Sequence, residues 1–168
     1  ESRTLVVIPT MLVSAAGIDD LVEALEVRFL ANRDDHLHFG LLTDYPDART
    51  ETLPEDESLL ALARKGIDDL NAKYPRAEGP AGPRTSGDTF FLFHRPRRWN
   101  PQERVWMGFE RKRGKLSDLN ALLRGSGHER FALVIGDATA LLNVKYVITL
   151  DTDTQLPRDS ARQFSGVM

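Results

Sequence analysis

Tyr146–Arg158, read as YVITLDTDTQLPR, is the stretch that most constrains the fold. Val144, Tyr146, Ile148 and Leu150 alternate with Lys145, Val147 and Thr149. A period of two in β-branched and aromatic residues predicts a strand. The run stops at Asp151-Thr152-Asp153. On an extended segment, residues i and i+2 point to the same side, so Asp151 and Asp153 can converge on one small hard cation. Mg²⁺ and Mn²⁺ favour oxygen ligands shared between carboxylates and substrate phosphates. Ligands of open α/β sheets also gather outside the carboxyl ends of the strands. The plainer reading makes either aspartate a cap for the turn before Pro157.

Further strands and helices alternate ahead of this one. Leu5-Val6-Val7-Ile8 is a continuous apolar run ended by Pro9, as in a strand buried on both faces. Met11 to Gly17 reads as a loop. Ile18, Leu21, Val22, Leu25, Phe29 and Leu30 follow helical spacing, with Asp19 and Asp20 placed in the first turn. His38–Leu42 is a second strand, leading into Thr43-Asp44-Tyr45-Pro46. Thr52-Leu53-Pro54-Glu55 has the form of a capping box. Leu59, Leu60, Ala63, Ile67 and Leu70 then line a helix stopped by Pro75. Arg76–Asp88 is a loop rich in Gly, Pro and Ser, and Thr89–Phe93 a third strand. Leu116, Leu119, Leu122 and Leu123 mark a helix closing near Gly125. Phe131–Ile135 is a fourth strand, Ala138–Asn143 a short helix or turn, and the Tyr146 strand is read as central. This alternation predicts one α/β domain over residues 1–168: three layers, α/β/α, around a mostly parallel sheet. Asp44 and Asp151/Asp153 would then share one carboxyl edge.

Composition removes several function classes. Hydrophobic residues make up 41% of the chain, enough for a globular core. There is no cysteine, so disulfide frameworks and Cys-based zinc sites are out. A net charge of −3 argues against a general nucleic-acid surface. No apolar run approaches the ~20 residues of a membrane span, so the piece reads as soluble. Its opening at Glu1, just ahead of a core strand, and its end at Met168 without a terminating pattern read as a cut from something larger.

Three other groups carry candidate chemistry. Asp44 either forms a turn before Pro46 or accepts hydrogen bonds from a base or ribose, as acids at strand ends do in nucleotide folds. Arg111, Lys112, Arg113 and Lys115 surround Gly114 ahead of a helix. Cations there oppose the helix dipole, which favours an anionic ligand over a merely solvated basic face. Arg95, Arg97, Arg98, Trp99, Trp106 and Phe109 either stack a sugar or pack on the core edge. His36, His38, His94 and His128 lack metal-ligand spacing and read as structural or surface residues.

Four segments together, VVIPTMLVSAAGIDDLVEALEVRFLAN, LLTDYPDA, WNPQERVWMGFERKRGKLSDLNALLRG and YVITLDTDTQLPR, resemble the glycosyltransferase region of the cyclic β-1,2-glucan synthases. The resemblance covers nearly the whole chain outside Arg76–Asp88. It implies an incomplete GT-A type nucleotide-sugar fold that uses UDP-glucose, and a growing β-1,2-glucan chain as the other partner. It further implies a large bacterial inner-membrane protein with this domain on the cytoplasmic side. By the same resemblance, Asp151 and Asp153 bind Mn²⁺ or Mg²⁺, and Asp44, Lys115, Asn120 and Asp151 lie at the nucleotide. The order Gly-Lys-Leu at Gly114–Leu116 departs from the Lys-Gly-x-Leu-Asn of processive transferases. The catalytic base is expected beyond Met168.

Two alternatives stand beside this one. Asp151 to Thr154 also has the form of an aspartyl-phosphate phosphatase motif, with Asp151 as nucleophile and Asp153 as acid/base. That chemistry needs a lysine and acids on later strands, and only residues 155–168 follow. The other alternative is a non-catalytic α/β binding domain whose acids are caps.

Overall fold

A computed structural model describes residues 3–76, 88–137, 141 and 143–152. The strands are β1 (Arg3–Met11), β2 (Leu37–Asp44), β3 (Phe90–His94), β4 (Arg98–Asn100), β5 (Val105–Met107), β6 (Leu133–Ile135) and β7 (Val144–Thr149). The helices are α1 (Ala15–Ala31), α2 (Asp56–Lys73) and α3 (Arg111–Leu123), with a 3₁₀ turn at His128–Arg130. A five-stranded mixed sheet has the order β6-β3-β2-β1-β7, and β4 and β5 form a separate hairpin.

β1, β2, β3 and β7 pair in parallel, whereas β6 runs antiparallel to β3. The carboxyl ends of four strands therefore meet at one edge, as the alternation predicts. β7 is not central. Among the described residues it is the outer strand beside β1, and it is only partly buried. Its side chains nevertheless reach both faces of the sheet, Ile148 packing against one apolar cluster and Val144 and Val147 against the other. β1 and β2 are buried almost throughout.

Two apolar clusters occupy opposite faces of the sheet. Val6 and Ile8 of β1 join Ile18, Leu25 and Phe29 of α1 and Leu59, Ala63, Ile67 and Leu70 of α2. Leu5 and Val7, the alternate residues, join Phe91, Phe93 and Leu119 of α3. Alternation of side chains along a strand sends each set to its own face.

Several local boundaries differ from expectation. β1 continues through Pro9 to Met11. Leu150 N–H donates to the Val7 carbonyl, so Val7, and with it Pro9, turns its backbone polar groups toward β7. The β1–β7 register ends at Val7–Thr149, so the N–H that proline lacks has no partner to lose. α1 begins at Ala15, where Ser14 Oγ accepts from Gly17 N–H at 3.0 Å, which leaves Asp19 and Asp20 past the first turn. No capping box forms at Thr52. α2 starts at Asp56, whose carboxylate takes the Leu53 N–H at 2.8 Å and the Arg97 guanidinium at 2.6 and 3.1 Å. Burial pushes the Asp56 carboxyl up, and the hydrogen bonds of Arg97 and Leu53 outweigh that and hold it below its ordinary value. Of the aromatic-basic stretch, Arg98, Trp99 and Trp106 lie in the β4–β5 hairpin, with Trp99 opposite Trp106. Of the Arg76–Asp88 loop only the two end residues are described, and of the Ala138–Asn143 turn only Leu141 and Asn143.

Candidate functional site

Asp44 is the last residue of β2, and Arg95 follows the last residue of β3. The β2–β3 register pairs Thr43 with His94, so the two strands release an acid and a base side by side. Arg95 grips the Asp44 carboxylate with two parallel bonds, Nε to Oδ1 at 2.8 Å and Nη2 to Oδ2 at 3.0 Å. Both side chains are about one-twentieth exposed, at 4% and 5%. A fork-to-carboxylate bond of this kind is among the stronger hydrogen-bonded pairs. Burial alone would lower the Arg95 pKa, and its bonds to Asp44 and Asp118 more than offset that.

Lys115 lies in the second turn of α3 with its ammonium turned back under the sheet edge. Nζ donates to the Thr10 carbonyl at 2.9 Å and lies 3.4 Å from Asp44 Oδ2. Burial lowers its pKa, against the pull of Asp44. Lys115 is thus committed to the protein and is not a free cation at a helix start. The remaining cations of the block face outward. Arg111 bonds Asp47 at 3.0 Å and approaches Glu103 at 3.5 Å, and Lys112 pairs with Asp151. Paired in this way, the basic run meets acids from three separate segments, which answers the unfavourable dipole noted above.

A cavity of about 380 Å³ opens among these groups. Asp44, Asp47, Arg111, Lys112, Lys115 and Thr152 supply its charged and polar wall, and Met11 and Val13 an apolar one. Gly108 also lines it, pressed so close to Asp44 that a Cβ would stand 2.4 Å from Oδ2. A larger hollow of about 460 Å³ lies around Arg33, His36 and Arg76, toward the opposite edge of the sheet. The carboxyl edge is the expected ligand position in an open α/β sheet.

Of the expected site residues the structure brings together Asp44 and Lys115, while Asp151 is outside the cavity wall and bonds Lys112, which lines it. Asn120 stands apart, exposed on α3 and outside the cavity wall. Asp151 is well exposed, at 63% of its side chain, and Asp153 lies outside the described residues. Among the described residues no three His, Asp or Glu side chains gather as a metal cluster. The sequence places Arg111 in the anion-favouring basic run and Arg95 in the aromatic-basic stretch, but pairs neither of them with an acid. Their signal was present, since Asp44 and Arg95 are opposite charges placed at the exits of two successive strands.

Acids and cations thus collect around a cavity at the shared carboxyl edge of the parallel strands of an α/β domain. No family model matches the chain. In sequence it is 42% identical over 167 residues, 99% of its length, to the cyclic β-(1,2)-glucan synthase NdvB of Rhizobium meliloti (strain 1021). The chain spans 6% of that protein's length. The resemblance carried by the four segments therefore extends over essentially the whole chain. Among the described residues no helix is long and apolar enough to cross a membrane.

Proposed function

We propose that this chain is the nucleotide-sugar-binding half of a GT-A type, inverting glucosyltransferase domain within a cyclic β-1,2-glucan synthase, and that its donor is UDP-glucose. The observation that carries the reading is the cavity at the carboxyl edge, where a buried carboxylate and outward-facing cations flank the end of β7. A nucleoside diphosphate needs both: donors for its phosphates and an acceptor for its base. An ionised carboxylate offers about four acceptor positions. Arg95 takes two on Asp44 and Lys115 a third, which leaves one for a uracil N–H. Arg111 and Lys112 are each about half exposed, at 57% and 51%, and line the same cavity, so they supply the phosphate contacts.

Mn²⁺ or Mg²⁺ fits this edge. Asp151 is an exposed carboxylate whose described partner is a flexible lysine, a pairing that a hard divalent cation can displace. Asp153 would be the second ligand. The metal would act as a Lewis acid on the diphosphate leaving group. The acceptor in this reading is the growing β-1,2-glucan, deprotonated by a base supplied from outside residues 1–168. The parent protein would sit in the bacterial inner membrane with this domain on the cytoplasmic side.

Calorimetry of UDP with and without Mn²⁺, on wild type, Asp151→Asn and Asp153→Asn, tests the reading. Metal-enhanced binding that is lost in both variants is the expected result. Equal affinity in every titration would remove the metal from the proposal, and no binding at all would remove the nucleotide. Capture of a fluoroberyllate analogue on Asp151 would favour aspartyl-phosphate chemistry instead.

A further inference from the structure

The turn leading into α3 holds two successive non-glycine residues in the left-handed region, Glu110 at φ 54° and Arg111 at φ 48°. For L-residues each costs roughly 1–2 kcal/mol, so the pair persists only where neighbours over-determine it. The neighbours are identifiable. Arg95 Nη2 donates to the Phe109 carbonyl at 3.1 Å and to the Arg111 carbonyl at 3.3 Å, one on either side of Glu110. Its Nη1 holds Asp118 of α3 at 2.9 Å, and its remaining bonds hold Asp44. Gly114 gives the turn room, since a Cβ there would stand 1.9 Å from the Phe109 carbonyl oxygen. One guanidinium thus ties the end of β2, the body of α3 and both carbonyls of the strained turn.

We infer that Arg95 is a positioning residue: clamped on Asp44, it keeps the Glu110–Arg111 turn left-handed and so aims Arg111 and Lys112 into the cavity. Arg95 is 3% exposed and each of its three guanidinium nitrogens bonds to protein, so it acts through the turn and not on a ligand. Relaxing either left-handed residue would redirect the chain at the point where Arg111 and Lys112 emerge. The inference rests on the nucleotide reading above for what those two cations hold.

Glu110 allows a test that deletes no cavity group, because it is exposed and does not line the cavity. Glu110→Gly and Glu110→Val remove the same carboxylate, yet glycine accepts a left-handed φ freely and valine resists it. Two readouts are needed on the 168-residue chain. Hydrogen exchange at the Arg111 and Gly114 amides, which bond to the Gly108 and Glu110 carbonyls, reports the turn itself. Calorimetric affinity for UDP reports its use.

Arg95→Lys and Glu110→Val are expected to expose both amides and weaken UDP about tenfold, the equivalent of one strained residue. Glu110→Gly should leave both readouts unchanged, and Arg95→Lys with Glu110→Gly should recover most of the affinity lost by Arg95→Lys alone. Protected amides in Arg95→Lys would overturn the clamp. An opened turn with unchanged UDP affinity would overturn its positioning role. A wild type that binds no UDP sinks the nucleotide reading and the positioning role with it, and the exchange data then decide the clamp alone.

Discussion

Replacing Asp44 by alanine removes the one acid shared by two buried cations. Its carboxylate accepts from Arg95 at 2.8 and 3.0 Å and sits 3.4 Å from Lys115, and all three side chains are 4–5% exposed. Arg95 would keep Asp118 and two backbone carbonyls, and Lys115 only the Thr10 carbonyl. Orphaning a buried charge typically costs about 3–5 kcal/mol. For a chain of this length about 1 kcal/mol moves the melting midpoint by roughly 2–4 °C, so Asp44→Ala should melt roughly 6–20 °C lower. Adding Lys115→Met removes the worse-satisfied cation and should restore about 1–3 kcal/mol. Urea and thermal unfolding followed by circular dichroism measure both effects. A single variant that melts within a degree or two of wild type would refute the reasoning, because a buried ion pair cannot lose a partner so cheaply. A double variant no more stable than Asp44→Ala would show that Lys115 finds water or another partner.

Acid should weaken the fold before the carboxylates titrate. Burial lowers the pKa of His94 to about 4 and, together with the nearby Arg76 charge, that of His38 to about 3. Both stay neutral in the folded chain while the unfolded chain takes up protons near pH 6.5, so stability falls from about pH 6.5 downward, by up to about 1.4 kcal/mol per pH unit for each histidine. His94→Gln and His38→Phe should each roughly halve the slope of unfolding free energy between pH 6.5 and 4.5, and an unchanged slope in both would exclude the histidines as its source. Gly114→Ala drives a Cβ onto the Phe109 carbonyl oxygen. It should cost about 1–3 kcal/mol by overpacking and lower UDP affinity, and an undisturbed Gly114 amide in hydrogen exchange would show that the turn had room after all.

The sequence alone determined the elements whose pattern is local. The continuous apolar run at Leu5–Ile8 specified a strand buried on both faces, and Leu59, Ala63, Ile67 and Leu70 specified one face of α2, because side-chain periodicity is fixed by backbone geometry within a few residues. The alternation of strands and helices was enough to bring Asp44 and Asp151 to one edge. Tertiary structure decided the rest. β6 turned antiparallel and β7 took the outer place beside β1, choices that depend on which edges remain free once β1, β2 and β3 have paired. The fates of the four cations at Arg111–Lys115 were also invisible in the run itself. Lys115 was drawn inward to Asp44 and Thr10, and Lys112 outward to Asp151. A charge in a sequence has no address. Its partner is whichever acid the fold brings within a few ångströms, and here that acid comes from strands far away in the chain.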